Sequence, residues 1–169
     1  MKFLMRAMLV GLLAILAGCA SLDKTRPTEA LSTAPSHPAA AMALQLQGSP
    51  YVLGGASPEE GFDCSGLVYY VYQQHGIDLP RDAVSQANAL PMVDIDQRQP
   101  GDLVFFNIGA KRHSHVGIYV GEEKFVHAPS ARRGKVVVSD LNRPYWRGHL
   151  SGVRRPHRLA HKHASGAPG

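Results

Sequence analysis

From residue 102 to residue 155 the chain is a series of short β-prone runs separated by turn residues. Asp102-Leu103-Val104-Phe105-Phe106 comes first, entered through Pro100-Gly101. His115-Val116-Gly117-Ile118-Tyr119-Val120, Lys124-Phe125-Val126-His127, Val136-Val137-Val138-Ser139 and Ser151-Gly152-Val153-Arg154-Arg155 follow. Ahead of them the pattern is helical. A short helix spans Ala39 to Gln47, a second runs from Cys64 to near His75, and a third runs from a cap at Arg81 or Asp82 to about Leu90. Gly76 stands where a helix C-terminus wants a left-handed residue. Tyr51 to Gly55 reads as extended chain entering a glycine turn, Ala56 to Phe62 as loop, and Tyr145 to His149 as a short helix or turn. Pro91 to Pro100 reads as loop, with Val93 and Ile95 alternating as an edge strand would. Helices first and hairpin-linked strands afterwards predict an α+β domain whose N-terminal helices pack on an antiparallel sheet.

The second helix begins in an unusual way. In Gly61-Phe62-Asp63-Cys64-Ser65-Gly66-Leu67-Val68-Tyr69-Tyr70, Asp63 is a natural N-cap and Cys64 falls in the first turn. Leu67, Val68, Val71 and Tyr72 follow Cys64 at spacings that share one helical face. The thiol therefore points with the apolar stripe, toward the body of the domain. The helix N-terminus favours thiolate over thiol. A lone cysteine is more often a buried structural residue, so the downstream histidines decide the matter.

Those histidines lie on the hairpin of the second and third strands. A three-residue loop, Gly121-Glu122-Glu123, sets Val120 opposite Lys124 and Gly117 opposite His127. His115 is then diagonal to His127 on the same face, about 7–8 Å away at the backbone. Gly117 leaves open space beside His127, and Val116, Ile118 and Val120 line the other face. A two-residue loop would reverse the parity and separate the histidines. With Cys64 against His115, the set forms a nucleophile, a base and an orienting imidazole.

The N-terminus belongs to no core. Lys2 and Arg6 precede an apolar run, Met8 to Ala17, too short to cross a bilayer, and small residues lead to Cys19. Residues 1–18 read as a signal peptide, and Leu16-Ala17-Gly18-Cys19 resembles a bacterial lipobox. Cys19 would then carry a diacylglyceryl group. Ala20, in place of aspartate, favours the outer membrane over the inner one. Residues 19–40 form the lipidated cysteine and a tether rich in Ala, Ser, Thr and Pro, about 65 Å when extended. Residues 41–156 are the folded domain, and residues 157–169 a basic, His-rich disordered tail. The chain has two cysteines; with Cys19 lipidated, Cys64 has no disulfide partner, and a free thiol in an oxidising compartment implies a task. The net charge is +5, and removing Lys2 and Arg6 leaves +3, a mild bias that suits an anionic wall polymer and is too weak for nucleic acid.

Six ordered motifs resemble the NlpC family of cell-wall cysteine peptidases, especially its lipoprotein members from double-membrane bacteria. They are Pro50-Tyr51-Val52-Leu53-Gly54-Gly55, Asp63-Cys64-Ser65-Gly66-Leu67, Leu79-Pro80-Arg81, Pro100 to Phe106, His115 to Gly121, and Phe125-Val126-His127-Ala128. The resemblance covers residues 42 to 156. It implies a papain-like fold with Cys64 as nucleophile, His115 as base and His127 as the third polar residue. It puts the Tyr51 hydroxyl beside the nucleophile as an oxyanion donor, and the backbone amide of Ser65 or Cys64 is a second candidate donor. It implies the peptide stems of peptidoglycan as substrate, with no cofactor or metal, in a monomer held to a membrane facing the periplasm. Two bonds are candidates, D-alanyl–diaminopimelate in a cross-link and γ-D-glutamyl–diaminopimelate within a stem. The lipoprotein layout and the Asp-Cys-Ser-Gly-Leu context favour the cross-link.

Other readings compete with this one. His113 reads as an exposed loop residue, with the alternative that it is the base. His113, His115, His127 and Cys64 form a weaker zinc-site pattern. Asp102 reads as a strand-entry residue, and Phe105 and Phe106 as core on one side and groove wall on the other. A wall-binding lipoprotein without activity would usually lack one of Cys64, His115 or His127. An acyltransferase or lipid hydrolase of related fold would place its histidine before its cysteine.

Overall fold

The computed structural model describes residues 37–157. The expected signal peptide, Cys19, most of the expected tether and nearly all of the expected C-terminal tail lie outside the described residues. Helix α1 is Pro38–Gln45, α2 is Cys64–Gln74, α3 is Ala83–Ala89 and α4 is Pro144–His149. A two-stranded hairpin of β1 (Ala56–Ser57) and β2 (Gly61–Phe62) precedes α2. The other strands are β3 (Met92–Val93), β4 (Leu103–Ile108), β5 (Lys111–Gly121), β6 (Lys124–His127), β7 (Val137–Asp140) and β8 (Leu150–Arg154). They form one antiparallel sheet in the order β3-β8-β4-β5-β6-β7. The expected α+β class holds, with the helices leading and the sheet following. Two local expectations change: residues 56–62 pair as a hairpin instead of running as loop, and Ile95–Gln97 is a 3₁₀ turn, leaving Met92–Val93 as the edge strand.

The central strands β4, β5 and β6 are buried on both faces, because they set apolar residues on each side of the sheet. Leu103 and Phe105 of β4, Val116 and Ile118 of β5, and Val126 of β6 face the helices. There they pack with Leu67, Val68, Val71 and Tyr72 of α2. Val104, Phe106, Tyr119 and Phe125 face the opposite way and pack with Leu141, Val153 and Trp146 of α4. Phe105 and Phe106 are therefore both fully buried, one in each core.

The β5–β6 hairpin departs from the expected loop yet keeps the expected face. Its turn has two residues, Glu122 and Glu123, both at positive φ (50° and 58°), as a hairpin turn matched to strand twist requires. Gly121 pairs with Lys124, while Ile118 pairs with Val126. The one-residue shift between these pairs is a bulge at Val120, and Gly121 takes up φ 97°. The extra residue in the strand compensates for the residue missing from the loop. Gly117 still lies opposite His127, and a Cβ at Gly117 would come within 2.6 Å of the Phe125 ring and 3.2 Å of the His127 Cβ.

Candidate active site

Cys64 is placed by its helix cap. Asp63 closes the N-terminus of α2, its Oδ1 accepting from the Gly66 amide at 2.6 Å. Its Oδ2 accepts from the Gly54 amide at 2.9 Å, which ties the glycine turn to the helix start. Arg81 grips the same carboxylate with both terminal nitrogens, each at 2.9 Å, and donates to the Gly55 carbonyl and the Ser65 hydroxyl. Gly66 must lack a side chain, since a Cβ there would lie 2.0 Å from the Gly55 carbonyl oxygen. The cap on α3 is Asp82, which accepts from the Ser85 amide, so Arg81 is free for this task.

Cys64 carries a free thiol packed against the helix-side core. Strand β6 stops at His127, so the backbone of Val116 lies beyond its last pair. The backbone of Val116, of Ser65 and of Cys64 itself acts to lower the thiol. Burial and the adjacent Asp63 carboxylate outweigh these backbone groups and push the thiol up from its ordinary value. The helix terminus favours the thiolate, as expected, while burial and Asp63 act in the opposite direction.

His115 and His127 meet ring to ring. His115 Nε2 lies 2.7 Å from His127 Nδ1, and His127 Nε2 lies 2.9 Å from Ser139 Oγ. Both rings are buried, and burial lowers both; His115 falls from 6.5 to about 4, and His127 falls further, with His115 and Arg133 adding to the effect. Both imidazoles are therefore neutral near pH 7. Trp146 covers them, stacked on His115 at 5.8 Å between ring centres and perpendicular to His127 at 4.8 Å. Since Nε2 of His115 is committed to His127, Nδ1 is the ring nitrogen left for another partner.

Cys64, His115, His127, Tyr51 and Ser65 all line one open cavity of about 1570 Å³. The structure thus brings together every described residue that the sequence reading nominated. Burial, Cys64 and Asp63 raise the Tyr51 hydroxyl above its usual value, which keeps it neutral. The Ser65 hydroxyl is engaged with Asp63 and Arg81, leaving the backbone amide as what Ser65 offers the cavity. His113 is a correction: it is buried within β5 at φ 49°, and its Nδ1 lies 2.8 Å from Ser151 Oγ. A register shift between Phe106 and Ile108 makes room for it. Among the described residues no group of three or more His, Cys, Asp or Glu side chains is spaced to hold a metal ion.

Comparison with known proteins agrees with this geometry. Residues 48–155 match the NlpC/P60 family. The chain belongs to that family. It is 47% identical over 110 residues to a γ-DL-glutamyl hydrolase of Bacillus subtilis, covering 64% of this chain and 26% of that protein. It is equally identical over 110 residues to a probable endopeptidase of Haemophilus influenzae, covering 64% and 66%. It is 40% identical over 116 residues to the murein DD-endopeptidase MepH of Escherichia coli, covering 66% and 42%. The matched part thus spans between about a quarter and two thirds of these relatives. A Staphylococcus aureus protein of the NLP/P60 family, described as similar to lipoprotein, superposes with a TM-score of 0.64 at 40% identity, covering 72% of this chain and 41% of that one. The papain-like fold expected of the family follows from that superposition.

Sequence reasoning missed Trp146, Ser139 and the Arg81 clamp. Arg81 was present in a quoted motif, but nothing in its spacing ties it to Asp63. Trp146 is the one tryptophan of the chain, which was a usable signal: a half-buried lone Trp beside polar groups often walls a site.

Proposed function

We propose that the protein is a cysteine-type peptidase that hydrolyses amide bonds in the peptide part of peptidoglycan. The observation that carries this reading is the shared cavity of the Cys64 sulfur and the His115–His127 pair. His115 Nδ1 takes the proton from Cys64 as the sulfur attacks the scissile carbonyl. Transfer is concerted with attack, because neither the separate thiolate nor the separate imidazolium is favoured at rest. The Tyr51 hydroxyl and the backbone amides at the start of α2 stabilise the oxyanion. Collapse of the tetrahedral adduct expels the amine, which leaves with the proton held on His115. Water, activated by the same nitrogen, then hydrolyses the thioester and frees the thiol. His127 holds the His115 ring throughout.

The bond we favour is D-alanyl–diaminopimelate in a cross-link, supported by the likeness to MepH. The γ-D-glutamyl–diaminopimelate bond is the second reading, supported by the likeness to the γ-DL-glutamyl hydrolase. Digestion of purified cross-linked dimers and uncross-linked stems, with products read by mass spectrometry, tests both. Monomers from dimers support the first reading, shortened stems the second, and intact material in both arms refutes the activity.

We further infer that Cys19 is lipidated after removal of residues 1–18 and anchors the domain to the outer membrane, facing the periplasm. Cys19→Ala should abolish lipid labelling and release the domain from membranes; persistent labelling would refute the anchor.

A further inference from the structure

We propose that Ser139 is a positioning residue that accepts from His127 Nε2–H, and so supports the proton arrangement in which His115 can act as a base. This rests on the peptidase reading for its meaning, but its geometry stands apart from it. Between His115 Nε2 and His127 Nδ1, 2.7 Å apart, there is room for one proton. If His115 carries it, the lone pair at His115 Nδ1 is free and the ring is a base. His127 Nδ1 is then the acceptor, so the proton of neutral His127 sits on Nε2. That N–H points at Ser139 Oγ, 2.9 Å away, and needs it as acceptor. If instead His127 carries the shared proton, His115 is protonated at Nδ1, faces the thiol with a donor, and cannot take its proton. His127 Nε2 is then bare and Ser139 must donate.

The two arrangements demand opposite roles of the Ser139 oxygen, which accepts in the first and donates in the second. Strand register puts it there: Phe125 pairs with Ser139 and His127 with Val137, so Ser139 stands diagonal to His127 on the same face. The cavity is lined by Ser139 as well as by the histidines. Its hydroxyl proton can therefore turn to water or substrate while the oxygen accepts. His127 is held neutral by burial, by His115 and by Arg133, so it cannot satisfy both ends at once by taking a second proton.

The test separates this arrangement from activity. Nitrogen-15 NMR of the histidine rings in the wild-type protein reads which ring nitrogen carries hydrogen. The expected result is protonated Nε2 in both His115 and His127. In Ser139→Ala both tautomers should coexist. Ser139→Thr should restore the wild-type pattern. Ser139→Asp, which can only accept when ionised, should fix the working tautomer and raise the pKa of His115. In turnover, Ser139→Ala should lower kcat about tenfold with KM little changed, a range typical of a lost orienting group. Ser139→Thr should recover it, and Ser139→Asp should move the acid limb of the rate upward. Unchanged tautomers in both Ser139→Ala and Ser139→Asp would overturn the proposal, whether or not the enzyme cleaves peptidoglycan. Correct tautomers in a protein that cleaves no muropeptide would leave Ser139 in its role and refute the peptidase reading alone.

Discussion

Nδ1 of His127 lies 2.7 Å from Nε2 of His115, so a residue on one strand fixes the free nitrogen of a residue on the next. The bond depends on Gly117, whose missing side chain lets the two strands bring both rings into one layer. It also explains why a neutral imidazole, and not a charged one, is the ready state of this site: two buried rings sharing one proton cannot both be cations.

That state predicts the acid limit of catalysis. The neutral form of His115 is the base, and burial holds its pKa at about 4. Activity should therefore persist well below pH 6.5 and fall as pH drops through about 4. A kcat/KM profile on a soluble muropeptide reads this directly; a limb at 6.5 would mean the ring is hydrated.

Stability should follow the same groups. A histidine lowered on folding leaves the unfolded chain binding more protons, so stability rises with pH between the folded and unfolded values. It is fully present above pH 6.5 and declines toward pH 4, by at most about 1.4 kcal/mol per pH unit for each fully neutral ring. Denaturant titrations at pH 7 and pH 5 should show a lower midpoint at pH 5. His127→Asn should flatten the difference.

Trp146 is the screen that keeps water from the pair, stacked on one ring and edge-on to the other. Trp146→Ala should move the acid limb upward toward 6.5 and lower kcat, and Trp146→Phe should move it less. An unshifted limb in the alanine variant would place the cause of desolvation elsewhere.

Asp63 has two opposed effects. It caps α2 and holds Arg81, and its charge raises the neighbouring thiol. Asp63→Ala should cost about 0.5–2 kcal/mol from the cap alone. Asp63→Asn can keep a cap oxygen while removing the charge, so it should lower the Cys64 pKa. The pH dependence of iodoacetamide alkylation measures that shift.

Much of this arrangement was legible in the sequence because period-two alternation is a strong constraint. His115 and His127 share a parity, and Val116 and Ile118 share the other, so faces follow once the register is known. The register survived a wrong loop: two turn residues replace three, and the bulge at Val120 restores the count. Nothing local announces such a compensation. His113 was misjudged for a related reason, since a second register shift turns it inward to Ser151. The opposing influences on Cys64 were not legible, because the helix terminus is visible in sequence whereas burial and the competing carboxylate are tertiary effects.

The claim on which the rest depends is that the Cys64 sulfur forms a covalent bond to substrate. Rapid acid quenching during turnover of a muropeptide, followed by intact-protein and peptide mass spectrometry, tests it. An acyl adduct should appear on the peptide containing Cys64 and be absent in Cys64→Ala, which should also lose all cleavage. Cleavage that persists in Cys64→Ala would contradict it.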